Sequence, residues 1–195
     1  SLDDFAKSFF GGREGDWGQV TYDFDDVVRA LNTVHPHDWA TFLHQRLQTP
    51  GQPAPVGGIE RAGYQLVWRD TPNVYDKARM AMSKAYDLTH SLGLTIDKDG
   101  IAGNILWDGP AFRADIVNGT KIVAVDGLAY SRDRLERAIK AASDGNTPIR
   151  LLVDRGGRFR DVTIEYHGGL RWPWLERTGS GPDWFDRLFA AKRAL

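Results

Sequence analysis

Apolar residues recur at three- and four-residue spacing in three early stretches: Leu2, Phe5 and Phe9; Phe24, Val27, Val28 and Leu31; and Trp39, Phe42, Leu43 and Leu47. That spacing gathers each set on one helical face and predicts three short amphipathic helices, Leu2–Phe10, Phe24–Val34 and Trp39–Leu47. Their boundaries carry matching chemistry. Thr21 or Asp23 suits the cap of the second helix, with Asp25 and Asp26 in its first turn, and Pro36 suits the start of the third. Gly11-Gly12 and Pro50-Gly51 close the other ends. Residues 49–58 hold Pro50, Pro53, Pro55, Gly51, Gly57 and Gly58, a run that interrupts a helix and offers little apolar surface, so a domain boundary is expected there.

Beyond that linker the period changes to two. Tyr64, Leu66 and Trp68 alternate with Gln65, Val67 and Arg69, which predicts a strand. Residues 73–87, preceded by Pro72 and carrying Ala78, Met80, Ala81, Met82 and Ala85 among charges, predict a helix. The pairs Asp99-Gly100, Asp108-Gly109, Asn118-Gly119, Asp126-Gly127, Asp144-Gly145 and Gly156-Gly157 then punctuate apolar runs at 92–96, 101–107, 122–125, 149–153 and 162–166. Such spacing suits short strands joined by tight turns. One helix interrupts the series, because Ser131 is a good cap and Leu135, Ala138, Ile139 and Ala142 make one apolar stripe. Trp184, Phe185, Leu188 and Phe189 predict a short amphipathic helix near the C-terminus. The class is therefore α+β.

Composition narrows the partners. The 195 residues are 42% hydrophobic and 26% charged, an ordinary globular make-up. With 25 basic and 26 acidic residues the net charge is -1, too little to hold nucleic acid or an anionic membrane. Cysteine is absent, which excludes disulfides, thiolate nucleophiles and cysteine-ligated metal. No apolar run approaches the ~20 residues that cross a bilayer.

Catalytic chemistry finds no foothold. The five histidines, His35, His37, His44, His90 and His167, form neither H-E-x-x-H nor H-x-x-E-H, so no catalytic or metal residue is expected. Asp97-Lys98-Asp99-Gly100 opens like a calcium loop but lacks its closing glutamate, and reads as a turn. No G-x-S-x-G elbow is present. The basic run Arg155-Gly156-Gly157-Arg158-Phe159-Arg160 is flanked by Asp154 and Asp161 and reads as a solvated hairpin tip.

The segment Ser91-Leu92-Gly93-Leu94, leading into Thr95-Ile96, is different. A glycine between apolar residues just before a strand can turn successive backbone N–H groups into one concavity suited to a carboxylate. Trp107-Asp108-Gly109-Pro110-Ala111, the strand from Ile122 to Gly127, a capped helix and a last hairpin follow in order. Together, across residues 63–166, these pieces resemble a PDZ domain with a helical insertion at 73–87. The resemblance implies a partly open β-barrel or sandwich with a capping helix. It also implies a peptide groove formed by Leu92, Gly93, Leu94, Thr95 and Ile96. Because Leu135 and Ile139 belong to the core, Arg132 and Glu136, one turn apart, are the expected groove-facing helix positions. His90 is a further candidate at the mouth.

A wider resemblance covers nearly the whole chain. Ser1-Leu2-Asp3-Asp4-Phe5, Tyr22-Asp23-Phe24-Asp25-Asp26-Val27, Gly63-Tyr64-Gln65-Leu66-Val67, Asp70-Thr71-Pro72-Asn73, Ser91-Leu92-Gly93-Leu94, Trp107-Asp108-Gly109-Pro110-Ala111 and Tyr166-His167-Gly168-Gly169-Leu170 are similar to the C-terminal end of the glycyl aminopeptidase family. Those are bacterial zinc metallopeptidases of the gluzincin type, with a thermolysin-like catalytic domain, a helical region and a terminal PDZ domain. The resemblance implies a helical segment over 1–58 with its linker at 49–62, a PDZ-like domain over 63–166 and a tail over 167–195. It further implies that zinc belongs to an upstream catalytic part and no cofactor to this chain. Three uses follow as expectations. The first is a noncatalytic part of a zinc aminopeptidase, recognising peptides or contacting the catalytic domain or a second copy. The second is a free-standing adaptor that captures protein C-termini, and the third is a structural domain whose groove is filled by its own insertion or tail. The compartment stays open between bacterial cytoplasm and periplasm.

Overall fold

Side-chain caps start the first three helices of the computed structural model, which describes residues 1–12, 14–16, 18–48, 50–51, 54–145, 147–179 and 183–190. The chain divides into two compact units, Ser1–Pro55 and Val56–Leu195.

In the first unit α1 is Leu2–Phe10, α2 is Phe24–Val34 and α3 is Trp39–Leu47. Ser1 and Asp4 form a reciprocal capping box on α1, and Asp23 and Asp26 form another on α2, each satisfying N–H groups that the first turn leaves free. Asp38 Oδ1 caps α3 by accepting from the Thr41 N–H at 3.1 Å, so Pro36 lies outside the helix instead of in its first turn. The periodic positions Phe5, Phe9, Phe24, Val27, Val28, Leu31, Trp39, Phe42 and Leu43 are half-buried, while Leu2 and Leu47 are exposed. Aromatic pairs join them: Phe9 meets Tyr22 edge-on at 5.1 Å and Phe24 meets His44 at 4.4 Å. None of the three helices buries a residue fully.

The second unit opens with a one-turn helix α4, Gly57–Arg61, inside what the composition presents as linker. Strand β1, Tyr64–Arg69, follows, then α5, Val74–Ser83. The predicted helix over 73–87 thus ends early. Lys84 takes a left-handed conformation at φ 55°, and Tyr86–Asp87 leaves the helical path to become a strand, β2. Next come β3, Thr95–Ile96, β4, Ala102–Gly103, and α6, Pro110–Arg113. After them stand β5, Lys121–Val125, β6, Leu128–Ala129, α7, Arg132–Gly145, β7, Ile149–Arg155, and β8, Arg158–Ile164.

The tail carries a strand that the hydrophobic pattern does not announce. Residues Trp172–Arg177 form β9, antiparallel to β1 from Tyr64 opposite Arg177 to Arg69 opposite Trp172. The last described helix, α8, is Trp184–Phe189.

The strands make three sheets, β1-β9, β2-β3-β4 and β6-β5-β7-β8. They do not close into a barrel. β2, β3 and β4 are two residues long, and among the described residues their ladder meets the four-stranded sheet through the single bridge of Ile101 to Lys121. A common core lies beneath: Leu88, Leu92, Leu94, Ile96, Ile116, Ile122, Leu135, Ile139, Leu151 and Ile164 are each at most 1% exposed. The α7 stripe of Leu135, Ala138, Ile139 and Ala142 faces this core, as its spacing predicts.

Candidate peptide groove between β3 and α7

The loop before β3 is a tight hairpin. The Leu88 N–H donates to the Leu94 carbonyl at 2.9 Å, and the Gly93 N–H donates back to the Leu88 carbonyl at 3.0 Å. Gly93 sits at φ +76°, and a Cβ there would stand 3.3 Å from Leu106 Cβ and 3.4 Å from Gly109 Cα. The Gly93 and Leu92 carbonyls accept from Leu106 and Ala111 at 2.8 and 2.9 Å. A glycine is needed because both the dihedral and the close approach exclude a side chain. Of the three loop amides that the sequence reading assigns to a carboxylate nest, Gly93 is already spent on Leu88.

The remaining predicted groove residues fall as follows. Leu92, Leu94 and Ile96 are fully buried, Gly93 is buried and Thr95 is half-buried. β3 pairs on one side with β4, Thr95 opposite Gly103 and Ile96 opposite Ala102. On its other side it pairs with β2, Tyr86 opposite Ile96 and Asp87 opposite Thr95, both antiparallel. Both edges of β3 are thus taken by the chain itself.

Arg132 and Glu136 come together beside that second edge. Arg132 Nε donates to Glu136 Oε1 at 2.9 Å, and the Arg132 guanidinium lies 3.9 Å above the centre of the Tyr86 ring. Tyr86 is only 5% exposed, with Trp172 6.3 Å from its ring. Its hydroxyl is enclosed and makes no hydrogen bond of good geometry. Burial, and after it the Glu136 carboxylate, hold the phenol well above its ordinary range. An open depression of about 430 Å³ remains alongside, lined by Lys77, Met80, Arg132, Glu136, Leu170 and Trp172.

Several contacts tie β2 down. Arg79 Nη2 donates to Asp87 Oδ2, and Asp87 Oδ1 accepts from the Thr89 N–H at 2.9 Å. Asn73 caps α5 by accepting from the Asp76 N–H at 2.8 Å, while its Nδ2 donates to the Pro173 carbonyl of β9 at 2.8 Å. Ser91 Oγ accepts from the Arg171 N–H at 3.0 Å, fixing the tail against the loop. His90 packs on Trp68 at 5.1 Å rather than on β2 or α7. Sequence reasoning missed Tyr86, Asp87, Arg79 and Asn73. The signal that could have found the first two is the alternation of Tyr86 and Leu88 across Asp87, a period of two immediately before the loop.

Among the described residues no three His, Asp or Glu side chains converge as ligands. His37 packs on Trp39, His44 on Phe24, and His167 Nδ1 lies 2.9 Å from the Ala142 carbonyl.

In its fold the chain is similar to an aminopeptidase N family protein from Idiomarina loihiensis, with a TM-score of 0.54 and 15% sequence identity. The likeness covers 81% of this chain and 27% of that one, so this chain spans well under a third of the length of that protein. A weaker likeness, with a TM-score of 0.27 and 18% identity, joins 60% of this chain to 94% of the HtrA3 PDZ domain, solved bound to a phage-derived ligand. No protein-family model and no curated protein sequence matches the chain. What the first likeness establishes is a fold shared with part of an aminopeptidase-related protein.

Proposed function

We propose that this chain is a noncatalytic part of a bacterial zinc aminopeptidase of the glycyl type, and that its second unit is a PDZ-like module closed to free protein C-termini. The module serves contacts within the larger protein. Zinc and the catalytic residues belong to the remainder of that protein, with the upstream catalytic domain as the principal partner of this part. The observation that carries the closed-groove reading is the pairing of Tyr86–Asp87 with β3, on the edge where an added peptide strand would otherwise pair. Donation of the Gly93 N–H to Leu88 supports it, because it removes one donor from the carboxylate nest. The fold shared with an aminopeptidase N family protein supports the wider assignment.

Two experiments test this. Calorimetric titration of the chain with peptides ending in a free or an amidated C-terminus is expected to show binding of neither at millimolar concentration. Tight binding of the free acid alone would instead favour the adaptor. The coding sequence upstream of Ser1 is expected to contain H-E-x-x-H, and an open reading frame without it would overturn the aminopeptidase assignment.

A further inference from the structure

The seat that β2 occupies has its own chemistry. A guanidinium covers one face of the Tyr86 ring, with its Glu136 partner holding it in place, and Tyr86 itself enters as part of an extended strand paired with Ile96. The next residue, Asp87, is read separately by Arg79. Main-chain pairing supplies register, a cation over the ring reads an aromatic side chain, and a second cation reads an acidic one.

We infer that the groove is a recognition site for an extended aromatic–acidic dipeptide, with Tyr86–Asp87 as its resident occupant in cis and the Arg132–Glu136 pair as the reader of the aromatic ring. This rests on the PDZ-like reading of the groove and names the ligand class that the same groove takes. The resident is short. Its ladder with β3 is two residues long, and it joins α5 through Lys84, a non-glycine residue held at φ 55°. A left-handed lysine is unfavourable by about 1 kcal/mol, which lowers the cost of releasing β2. A peptide in trans with the same dipeptide, internal to its own chain and needing no terminal carboxylate, fits the vacated seat.

The test uses the hexapeptide of residues 84–89, acetylated and amidated so that carboxylate capture plays no part. A second peptide has Ala in place of the tyrosine. The wild-type chain is expected to bind neither at millimolar concentration. Tyr86→Ala, which removes the resident ring and loosens β2, should bind the tyrosine peptide about tenfold tighter than the alanine peptide, the discrimination expected of a partly desolvated cation over a ring. Adding Arg132→Ala should erase that preference. If Tyr86→Ala loses its native circular dichroism, Arg79→Gln decides the matter, since it deletes no core side chain but unties Asp87, so that β2 leaves the seat more often, and it should show the same order of affinities. Equal binding of the two peptides to a folded variant, or no binding to either, overturns the inference. Capture of a free-acid peptide by the wild type overturns the underlying closed-groove reading instead.

Discussion

Replacing Gly93 by alanine separates two effects that the loop geometry combines. The residue stands at φ +76°, where an L side chain costs about 1–2 kcal/mol. Stiffening the unfolded chain returns about 0.4–1 kcal/mol of that. Gly119 is the control: it has φ +86° with nothing within 4 Å of the added Cβ, so it carries the dihedral cost alone. At Gly93 the Cβ also meets Leu106 Cβ at 3.3 Å and the Gly109 backbone at 3.4 Å. Neither neighbour retreats freely, because the Leu106 N–H bonds the Gly93 carbonyl and the Gly109 N–H bonds the Leu106 carbonyl at 3.0 Å. Crowding of this kind adds about 1–2 kcal/mol. Urea denaturation followed by circular dichroism should therefore show Gly119→Ala destabilised by roughly 0.5–1 kcal/mol and Gly93→Ala by roughly 2–3 kcal/mol. Equal losses, within about 0.5 kcal/mol, would refute the close packing of the loop on the Leu106 turn.

Tyr86→Phe removes an enclosed hydroxyl that makes no hydrogen bond of good geometry, so it should stabilise the chain at pH 8 by about 1 kcal/mol. Because the folded state raises the Tyr86 pKa above 10.0, that phenol's contribution is fully present below this pH and is lost as the pH climbs beyond it. Stability measured by urea between pH 8 and 11 should fall less steeply in Tyr86→Phe than in the wild type. Asn73→Ala deletes both the α5 cap and the bond to Pro173 and should cost about 1–2 kcal/mol by the same assay, while Asn73→Asp keeps the cap acceptor and should lose less. Pro50, Gly51, Ala54 and Pro55 are exposed where the two units divide, so brief treatment with subtilisin should cut first between Leu47 and Gly57; a first cut outside that stretch would count against the division.

What could be read from the sequence was local. The helices of the first unit and the α7 stripe were legible because their periodicity repeats within one or two turns, although of the first unit's caps only Asp23 was read. The turn at Gly93 was legible because a glycine between two apolar residues marks a dihedral that side chains avoid. Arg132 and Glu136 lie on the same helix as the buried Leu135 and Ile139. What they face was not legible. β2 continues the apolar pattern of α5 without a glycine stop, and its strand character comes from pairing with Ile96, on the far side of a loop. β9 was missed for a related reason: Pro173 argues against a strand, and its partner β1 lies far back along the chain. α4 formed within a glycine-rich stretch where Val56, Gly58 and Ile59 carbonyls still accept helical bonds.

The most direct test of the closed groove is amide hydrogen exchange at Ile96, read by NMR on the free chain. The Asp97 N–H points to the Ile101 carbonyl on the β4 side, so the alternation of an antiparallel strand directs the Ile96 N–H toward β2. If Tyr86–Asp87 fills the groove, the Ile96 amide is protected with no ligand present, and a peptide with a free C-terminus leaves its exchange unchanged. Rapid exchange in the free chain that becomes slow only when such a peptide is added would contradict the account.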